Sequence, residues 1–561
     1  MGTGAREIIP ERGYRRARIY HRQPGPVGVP SAGLISMTPT GLKFLYRVAT
    51  GSWFGAICLC LAVSSLFPSR ATSAALLRGP YLQQGTPTTM TVRWRTDLPT
   101  ASVVLYGQDP DLLFEITGSL QPVTEHIVTV TGLEPDQLYY YSVGSLSETL
   151  AQGTETRFRT SPLPGSTRPI RIWAIGDCGT FGLGGENQAG VRDAYYAHPR
   201  SHATDVWLAL GDNAYFRGED HEYQLRFFNV YHRIMRNTVL WSTLGNHETY
   251  SQLNRGVLPY FDMFTFPTRA EAGGVASGTE NYYSFDYGNV HFICVDSEIA
   301  NRRNPAAMLQ WLRSDLEANT ADWTIAFWHT PPYSMGSHHS DWESALAWMR
   351  EEVVPILEAH GVDLVLSGHS HIYERSYLLH GHYEDSTTLT SEMILDRGDG
   401  RPGGSGAYHK LTSGPRANKG AVYVVAGSSG WATFRTGFHP AMYYDALTRG
   451  SLVLDVNGLE LKAQFLTEQG TIDDHFTIRK LEGPAFPLLV RSITLGAGGV
   501  AMWFWSEPGK SYQVEATSSL ESPAQWEPIG EPIVAQQDRT QWTHRAANPS
   551  QQLFFRVLEV Q

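Results

Sequence analysis

Alternating apolar and polar positions run through residues 77–161. Short segments of this kind, including Met90–Trp94, Ser102–Tyr106 and His126–Val130, are separated by turns rich in Pro, Asp and Gly. Alternation with a period of two is typical of strands that bury one face. The pattern therefore predicts an N-terminal β-sandwich over residues 76–162, followed by a linker rich in Pro and Gly.

From Ile170 onward, apolar runs of five to eight residues alternate with helix-like stretches. This alternation is typical of an α/β domain. We predict such a domain over residues 168–482, built as a β-sandwich flanked by helices. The polar, glycine-rich stretch at 380–420 is predicted to be a long surface insertion.

Two helices of this domain can be placed from their apolar spacing. The first is predicted at Asn304–Asn319. The second is predicted to begin at Ser340, with Glu343 completing a capping box, and to end near Gly361.

The last part of the chain returns to a strand-like pattern. Residues 488–561 contain the strand-like segments Ser511–Glu515 and Leu553–Val557. We predict a small C-terminal β-sandwich appendage, as occurs in many secreted bacterial enzymes.

Residues 1–75 are predicted to be a disordered leader and signal peptide. The apolar run Trp53–Phe67 follows Lys43 and Arg47, and it is too short to span a bilayer comfortably. A translation start at Met37 would give the signal peptide an ordinary length, and an uncleaved N-terminal anchor is the alternative. A signal peptide predicts a secreted or periplasmic protein without stable membrane association after cleavage.

The net charge bears on the possible binding partners, and the cysteine content bears on the state of the thiols. The formal net charge is -11, which argues against a nucleic-acid partner because such surfaces are basic. It is compatible with a small phosphorylated substrate, since bound metal ions set the local charge of a site. Beyond the leader only Cys178 and Cys294 remain, and we predict that both are buried thiols.

Apolar runs of the central domain end in side chains that bind metals. The runs at 170–175, 206–210, 239–244, 324–328 and 362–366 are followed by Asp177, by Asp212 and Tyr215, by Asn246 and His247, by His329, and by His369 and His371. In open α/β sheets, ligands bind at the carboxyl ends of the strands. We therefore expect these side chains to meet at one edge.

The chemistry of the donors indicates the kind of site. Carboxylate, imidazole, amide and phenolate groups together suit Fe, Mn and Zn, and there are too many donors for one ion. A carboxylate can bridge two ions about 3.5–4 Å apart, an arrangement that clamps a phosphoester. Any one strand-end histidine is more often structural than a ligand, but the ordered set favours a dinuclear site.

These segments resemble the motifs of purple acid phosphatases, within the calcineurin-like metallophosphoesterases. The matching segments are Gly176-Asp177-Cys178-Gly179, Gly211-Asp212-Asn213-Ala214-Tyr215, Gly245-Asn246-His247-Glu248, Trp328-His329 and Gly368-His369-Ser370-His371. The segments Leu133-Glu134-Pro135 and Tyr139-Tyr140-Tyr141 resemble the end of a fibronectin type III sandwich, which precedes the catalytic domain in larger family members. The resemblance covers about residues 77–466 and leaves out the C-terminal module.

The resemblance implies a role for each matching position. Asp177, Tyr215 and His371 would hold a ferric ion, and Asp212 would bridge it to a second ion. Asn246, His329 and His369 would hold that second ion, which can be Fe, Zn or Mn in this family. Tyr215 is the discriminating residue, because most calcineurin-like enzymes lack a tyrosine there and because phenolate on ferric iron gives the purple colour.

Further histidines are expected to contact the substrate. His247 would point at the phosphate. His338 or His339, with His339 favoured, would donate a proton to the leaving alkoxide. The alternative is that this His-His pair before a helix consists of ordinary exposed polar side chains without a role in the reaction. The following Ser340-Asp341-Trp342 departs from the family pattern, so the resemblance implies nothing about the wall of the substrate pocket.

The favoured function is hydrolysis of phosphate monoesters by metal-bound hydroxide, as in acid phosphatases. A phosphodiesterase with the same dinuclear site is one alternative. A non-catalytic secreted adhesive or carbohydrate-binding protein is another. The sequence does not indicate the natural substrate, the oligomeric state or the role of the C-terminal module.

Overall fold

The computed structural model describes a large part of the chain beyond the predicted leader. The described ranges are 73–180, 185–255, 258–414, 416–481, 490–496, 499–506, 508–519, 525–537, 539–544 and 553–560. The predicted signal peptide, including Met37 and Trp53–Phe67, lies outside them. Within the described residues, no helix is both long enough and apolar enough to cross a membrane.

The N-terminal module consists of antiparallel strands, as the alternating pattern predicts. Its strands are β1 (Leu76–Gln83), β2 (Thr89–Gly107), β3 (Glu115–Thr131), β4 (Leu138–Gly144), β5 (Thr149–Ala151) and β6 (Arg157–Arg159). The long β2 pairs with β1, β3 and β4. The Glu134 amide donates a hydrogen bond to the Tyr139 hydroxyl at 3.0 Å, so the tyrosine is tied to upstream backbone as the fibronectin-like pattern predicts.

One sheet of the central domain has the strand order β17-β22-β21-β20-β7-β8-β9. Strands β7, β8 and β9 are parallel, and β20 pairs antiparallel with β7. The bounds are β7 (Ile170–Ile175), β8 (Val206–Ala209), β9 (Val239–Ser242), β17 (Tyr408–Leu411), β20 (Gly450–Asn457), β21 (Glu460–Thr467) and β22 (Ile472–Leu481).

A second sheet has the order β10-β11-β12-β13-β18-β14-β19. Strands β11, β12, β13 and β18 are parallel to one another. The bounds are β10 (Tyr283–Tyr287), β11 (Val290–Cys294), β12 (Trp323–Phe327), β13 (Leu364–Ser367), β14 (Tyr373–Ser376), β18 (Val422–Ala426) and β19 (Met442–Ala446), and a separate small ladder joins β15 (Leu378–Leu379) to β16 (Ile394–Asp396).

The two sheets enclose a core, and helices cover their outer faces. Successive residues of the second sheet alternate between the two sides: Phe292 belongs to the core that also contains the first sheet, whereas Ile293 packs with the helices. On the first sheet, Trp173 stacks on Tyr195 of α1 with ring centroids 4.2 Å apart. The central domain is therefore a β-sandwich flanked by helices, as predicted.

The helices lie between the strands of the central domain. Their bounds are α1 (Gln188–Ala197), α2 (Asp220–Tyr223), α3 (Asn229–Met235), α4 (Asn246–Arg255), α5 (Pro259–Met263), α6 (Ala300–Arg303), α7 (Pro305–Ala318), α8 (Ser344–Trp348) and α9 (Val354–Ala359); π-helical turns occupy Gln224–Phe228 and Met349–Val353, and 3-10 turns occupy Ser201–Ala203 and Ser386–Thr388. The predicted helix at Asn304–Asn319 is confirmed by α7.

The predicted start of the following helix is wrong. The helix begins at Ser344, because Glu343 is still extended and its carboxylate accepts the His339 amide instead of closing a capping box with Ser340. A π-helical turn interrupts the helix before Pro355, whose missing N–H cannot continue the regular ladder.

The prediction of a surface insertion at 380–420 is only partly correct. Its β17 pairs with β22 at the edge of the first sheet. Lys410 of β17 is fully buried, with its Nζ 2.8 Å from Asp363 Oδ1. The polar composition obscured this strand because a buried charge with a partner looks like a surface charge in the sequence.

The C-terminal residues form two small sheets around a shared core. The described strands are β23 (Val490–Gly496), β24 (Gly499–Trp505), β25 (Ser511–Thr517), β26 (Glu527–Pro528), β27 (Ile533–Val534), β28 (Arg539–His544) and β29 (Phe554–Val560). Strands β23, β24 and β28 make one sheet, and β25 pairs with β26, β27 and β29 in the other. Buried side chains of both, such as Phe504 and Tyr512, pack together.

Candidate metal centre

The predicted donors lie just beyond the carboxyl ends of strands from both sheets. Asp177 follows β7, Asp212 follows β8 and Asn246 begins α4 after β9. From the second sheet, His329 follows β12, and both His369 and His371 follow β13. The sandwich therefore brings two rows of strand ends to one edge, which is where the sequence pattern predicts a site.

The backbone at these strand ends is unusually tight. Asp177, Asp212 and His369 have positive φ values of 52°, 52° and 66°, a conformation that non-glycine residues rarely adopt. A Cβ added at Gly245 would lie 2.2 Å from Asp212 Oδ1, and one at Gly368 would lie 2.4 Å from Asp177 Oδ2. Glycine is required at both positions because the backbone passes directly against the carboxylates.

The seven predicted donors form one cluster: Asp177, Asp212, Tyr215, Asn246, His329, His369 and His371. Tyr215 is at the centre of one half of this cluster. Its Oη lies 3.2 Å from Asp177 Oδ1, 3.2 Å from Asp212 Oδ2 and 3.2 Å from His371 Nε2. His371 Nε2 also lies 3.5 Å from Asp177 Oδ1. A phenol has one proton and can satisfy one of these neighbours at a time, so the arrangement favours additional positive charge among them.

His329, Asn246 and His369 converge in the other half. His329 donates Nδ1–H to the Leu210 carbonyl at 2.8 Å, which directs the lone pair of Nε2 into the cluster. That Nε2 lies 3.0 Å from Asn246 Oδ1 and 3.2 Å from His369 Nδ1. Electron-rich atoms this close together match the donor set of a cation.

Asp212 lies between the two halves. Its Oδ2 is 3.2 Å from Tyr215 Oη on one side and 3.4 Å from His329 Nε2 on the other. Burial disfavours the charged carboxylate, but His329 and His247 outweigh that effect and lower the pKa of Asp212. Burial likewise disfavours charged His329, but Asp212 and Asp177 raise its pKa. The cluster has the negative potential that a cation requires.

The phenol of Tyr215 also fits a strongly charged ion. Burial, together with the carboxylates of Asp212 and Asp177, raises the pKa of Tyr215 well above its ordinary value. A phenolate in this position therefore needs a compensating cation of high charge. The residues present fit a site for two metal ions.

Glu248 supports this arrangement, and the sequence analysis assigned it no role. Its fully buried carboxylate accepts the amides of Asp212 at 2.8 Å, Asn213 at 2.8 Å and Gly245 at 2.7 Å, and the hydroxyl of Tyr223 at 2.9 Å. One carboxylate thus fixes the turns after β8 and β9. Its position directly after Asn246-His247 was the only signal available in the sequence.

His247 faces the cluster from α4. Its backbone amide donates to Asp212 Oδ1 at 2.9 Å, and its Nδ1–H donates to the Phe216 carbonyl at 2.8 Å. The remaining ring nitrogen, Nε2, lies 3.8 Å from Asp212 Oδ2. His247 is therefore oriented toward the metal ligands by two hydrogen bonds.

The contacts reverse the preference between the paired histidines. The ring of His338 stacks on His369 at 3.7 Å, and its Nδ1 lies 2.9 Å from Glu343 Oε2. His339 is buried, its Nδ1 accepts the Asp341 amide, and its ring is stacked under Trp342. These contacts favour His338 over His339 as the histidine that faces the cluster, and the identity of the proton donor stays a prediction.

This fold, with its paired carboxylates, histidines, amide and phenol, defines a calcineurin-like metallophosphoesterase. Residues 170–373 match the calcineurin-like phosphoesterase family, and residues 79–160 match the N-terminal domain of purple acid phosphatases. Over both of these regions the chain resembles the purple acid phosphatases.

Individual relatives agree with this assignment. Purple acid phosphatase 15 of Arabidopsis thaliana is 31% identical over 304 residues, which is 49% of this chain and 53% of the plant protein. Acid phosphatase type 7 of Homo sapiens is 27% identical over 350 residues, 56% of this chain and 73% of the human protein. The chain thus spans about half the length of the plant relative.

A solved structure supports the fold. The purple acid phosphatase PPD1 from yellow lupin seeds superposes with a TM-score of 0.57 at 18% identity, covering 72% of this chain and 75% of that chain. The structure of PhoD superposes with a TM-score of 0.52 at 15% identity, covering 73% of this chain and 91% of that chain.

Proposed function

We propose that this protein hydrolyses phosphate monoesters with the help of two metal ions. The observation that carries the proposal is the position of Asp212, with Tyr215 Oη at 3.2 Å on one side and His329 Nε2 at 3.4 Å on the other. One carboxylate can serve two cations only from such a position.

The ligands divide into two sets around Asp212. Asp177, Tyr215 and His371 would hold a ferric ion, and Asn246, His329 and His369 would hold Fe, Zn or Mn. Bound there, the ions would supply the positive charge that neutralises the phosphate oxygens and makes water acidic enough to attack phosphorus.

Residues around the ions would bind and orient the ester. His247, fixed through Nδ1–H to the Phe216 carbonyl, would present Nε2 to a phosphate oxygen. Stabilising the charge that builds on those oxygens is a large part of catalysis in phosphoryl transfer.

His338 would protonate the leaving oxygen. Its Nδ1 lies 2.9 Å from the Glu343 carboxylate, which fixes the tautomer and leaves Nε2 to exchange the proton. An imidazole held in this way is oriented to act as a general acid.

Export belongs to the same proposal and rests on the apolar run Trp53–Phe67 with its preceding basic residues. A secreted or periplasmic enzyme would meet phosphate esters outside the cytoplasm. A non-catalytic adhesive protein is disfavoured, because such a protein would have no reason to keep every donor of the cluster.

The test compares p-nitrophenyl phosphate with bis(p-nitrophenyl) phosphate from pH 4 to 9, using the metal-loaded full chain. We expect the monoester to be the better substrate in kcat/KM. A preference for the bis-ester would identify a phosphodiesterase with the same site. Turnover of neither compound at any pH would contradict the proposal and favour the non-catalytic alternative.

A further inference from the structure

Exposed aromatic side chains are concentrated around the candidate metal centre. Among the described residues, the strongly exposed phenylalanines and tryptophans are Phe114, Phe216, Trp342, Phe434 and Phe438. Only Phe114 belongs to the N-terminal module, and the others lie in segments that contact the cluster. Large apolar side chains left in water together mark binding sites more often than chance.

Phe216 borders the cluster beside His247. It directly follows the proposed ligand Tyr215, and its side chain is 53% exposed. Its ring meets the His247 ring edge to face at 5.2 Å, while its carbonyl accepts His247 Nδ1–H. The ring is thus fixed next to the histidine that would contact the phosphate.

Trp342 lies four residues after His338, in the segment that contacts the cluster. Its indole is 73% exposed and lies flat on the His339 ring, with centroids 3.7 Å apart and an interplanar angle of 8°. The segment that carries it is fixed over the ligands, because Ser337 Oγ accepts the His371 amide at 2.9 Å. Trp342 is therefore an exposed aromatic surface on the segment that also carries the proposed proton donor.

The loop at 431–438 completes the border. Trp431 lies 6.1 Å from the His371 ring. Farther along, the Thr436 amide donates to the Met335 carbonyl at 2.8 Å, which holds the loop against the turn that carries His338. Phe434 and Phe438 of this loop are 57% and 50% exposed.

We propose that Phe216 and Trp342 determine specificity by binding a planar ring in the organic part of the substrate. The inference rests on the proposed phosphatase function and deepens it. A phosphate held by His247 would place its ester oxygen near His338, and an aromatic group on that oxygen would meet the two exposed rings. Aromatic pairs are attractive beyond the area they bury, whereas a small polyol gains little from such surfaces.

The test measures kcat/KM for phenyl phosphate and for glycerol 2-phosphate with the metal-loaded full chain. The variants are Phe216→Ala, Trp342→Ala and the double variant. Phe114→Ala is the matched control, because Phe114 is 74% exposed but belongs to the N-terminal module. Comparing each variant with wild type on the same substrate cancels the different reactivities of the two leaving groups.

We expect each single variant to lose about five-fold in kcat/KM for phenyl phosphate, mainly through a higher KM. A five-fold loss corresponds to the free energy of about one aromatic contact. For Trp342→Ala the value for glycerol 2-phosphate should change less than two-fold, and the control should match wild type on both substrates. Inhibition by phenylphosphonate should weaken in the same variants, and inhibition by methylphosphonate should not.

Two results would overturn the inference while leaving the proposed function standing. One is an equal loss on both substrates, which would indicate a general disturbance of the site. The other is wild-type behaviour of the double variant on phenyl phosphate. If the wild-type protein hydrolysed neither substrate, the proposed function itself would fail.

Discussion

Glu248 Oε2 accepts the backbone N–H of Asp212 at 2.8 Å, so a buried carboxylate holds the proposed bridging ligand in place. The same oxygen accepts the Gly245 amide at 2.7 Å. Burial and the nearby Asp212 raise the pKa of Glu248, yet several donors face its oxygens. Two ligand-bearing turns therefore depend on one side chain.

Glu248→Gln should destabilise the fold by about 2–4 kcal/mol and reduce the metal content, because the amide NH₂ would face N–H donors in a buried site. Thermal unfolding and metal analysis would measure both effects. Glu460→Gln, which removes a half-exposed partner of Arg479, is the control and should change stability by less than about 1 kcal/mol. Unchanged stability and metal content in Glu248→Gln would show that Glu248 has no supporting role.

The donors could be predicted from the sequence because each follows an apolar run within a few residues. Examples are Gly211-Asp212 and Gly368-His369. In each of them the strand end, the turn and the donor side chain are adjacent in the sequence, so a short segment is enough to predict the donor. The convergence of these residues follows from the α/β pattern, since parallel strands end at the same edge.

Other features depend on three-dimensional contacts that cannot be predicted from the neighbouring residues in the sequence. Lys410 pairs with Asp363 of another strand, and nothing near Lys410 distinguishes it from a surface lysine. His338 and His339 are neighbours, and which of them faces the cluster depends on the bend of the turn at 336–339. That several backbone amides and the Tyr223 hydroxyl share the Glu248 carboxylate likewise appears only when two turns are placed in space.

His338→Gln should lower kcat by about 10²-fold for an alkyl phosphate, because the leaving alkoxide would lack its proton donor. The loss should be smaller for p-nitrophenyl phosphate, whose leaving group needs less protonation. His339→Gln is the matched variant, and its kcat should remain within about three-fold of wild type. The opposite ranking of the two variants would restore His339 as the donor.

His291 should make the free energy of unfolding decrease as the pH rises into the alkaline range. Its Nδ1 lies 2.7 Å from Asp286 Oδ1 and its Nε2 lies 2.8 Å from Asp315 Oδ2. Burial opposes the charge, but the hydrogen bonds to Asp286 and Asp315 outweigh it and raise the pKa of His291 to about 9. Because the pKa of His291 is higher in the folded protein than in the unfolded chain, its charge stabilises the fold fully below the unfolded pKa of about 6.5. This stabilisation is lost as the pH rises toward 9.

The wild-type melting temperature should therefore fall between pH 6.5 and 9, equivalent to a loss of up to about 3 kcal/mol. His291→Asn should melt lower at pH 6.5 and vary less across the same window. His232→Asn, on the surface of α3, should keep the wild-type profile. A steep wild-type-like decline in His291→Asn would assign the pH dependence to other groups.

Tyr215→Phe should abolish visible absorption of the iron-loaded protein, because the band requires phenolate bound to ferric iron. The fold should survive, since the change removes one oxygen from a buried ring. Absorption spectra and thermal unfolding would measure the two effects, with Tyr444→Phe of β19 as the control that keeps the band. A visible band that persists in Tyr215→Phe would exclude Tyr215 as the iron ligand.

The most direct test of the dinuclear centre is the metal content per chain of the wild-type protein and of Asp212→Ala, measured by elemental analysis on folded, gel-filtered samples. The wild-type protein should carry two ions, and the variant should lose both, because one carboxylate lies between Tyr215 Oη and His329 Nε2. Asp193→Ala, on the exposed side of α1, should keep two. If Asp212→Ala still bound two ions per chain, Asp212 would not be the bridge, and the account of a shared site would be contradicted.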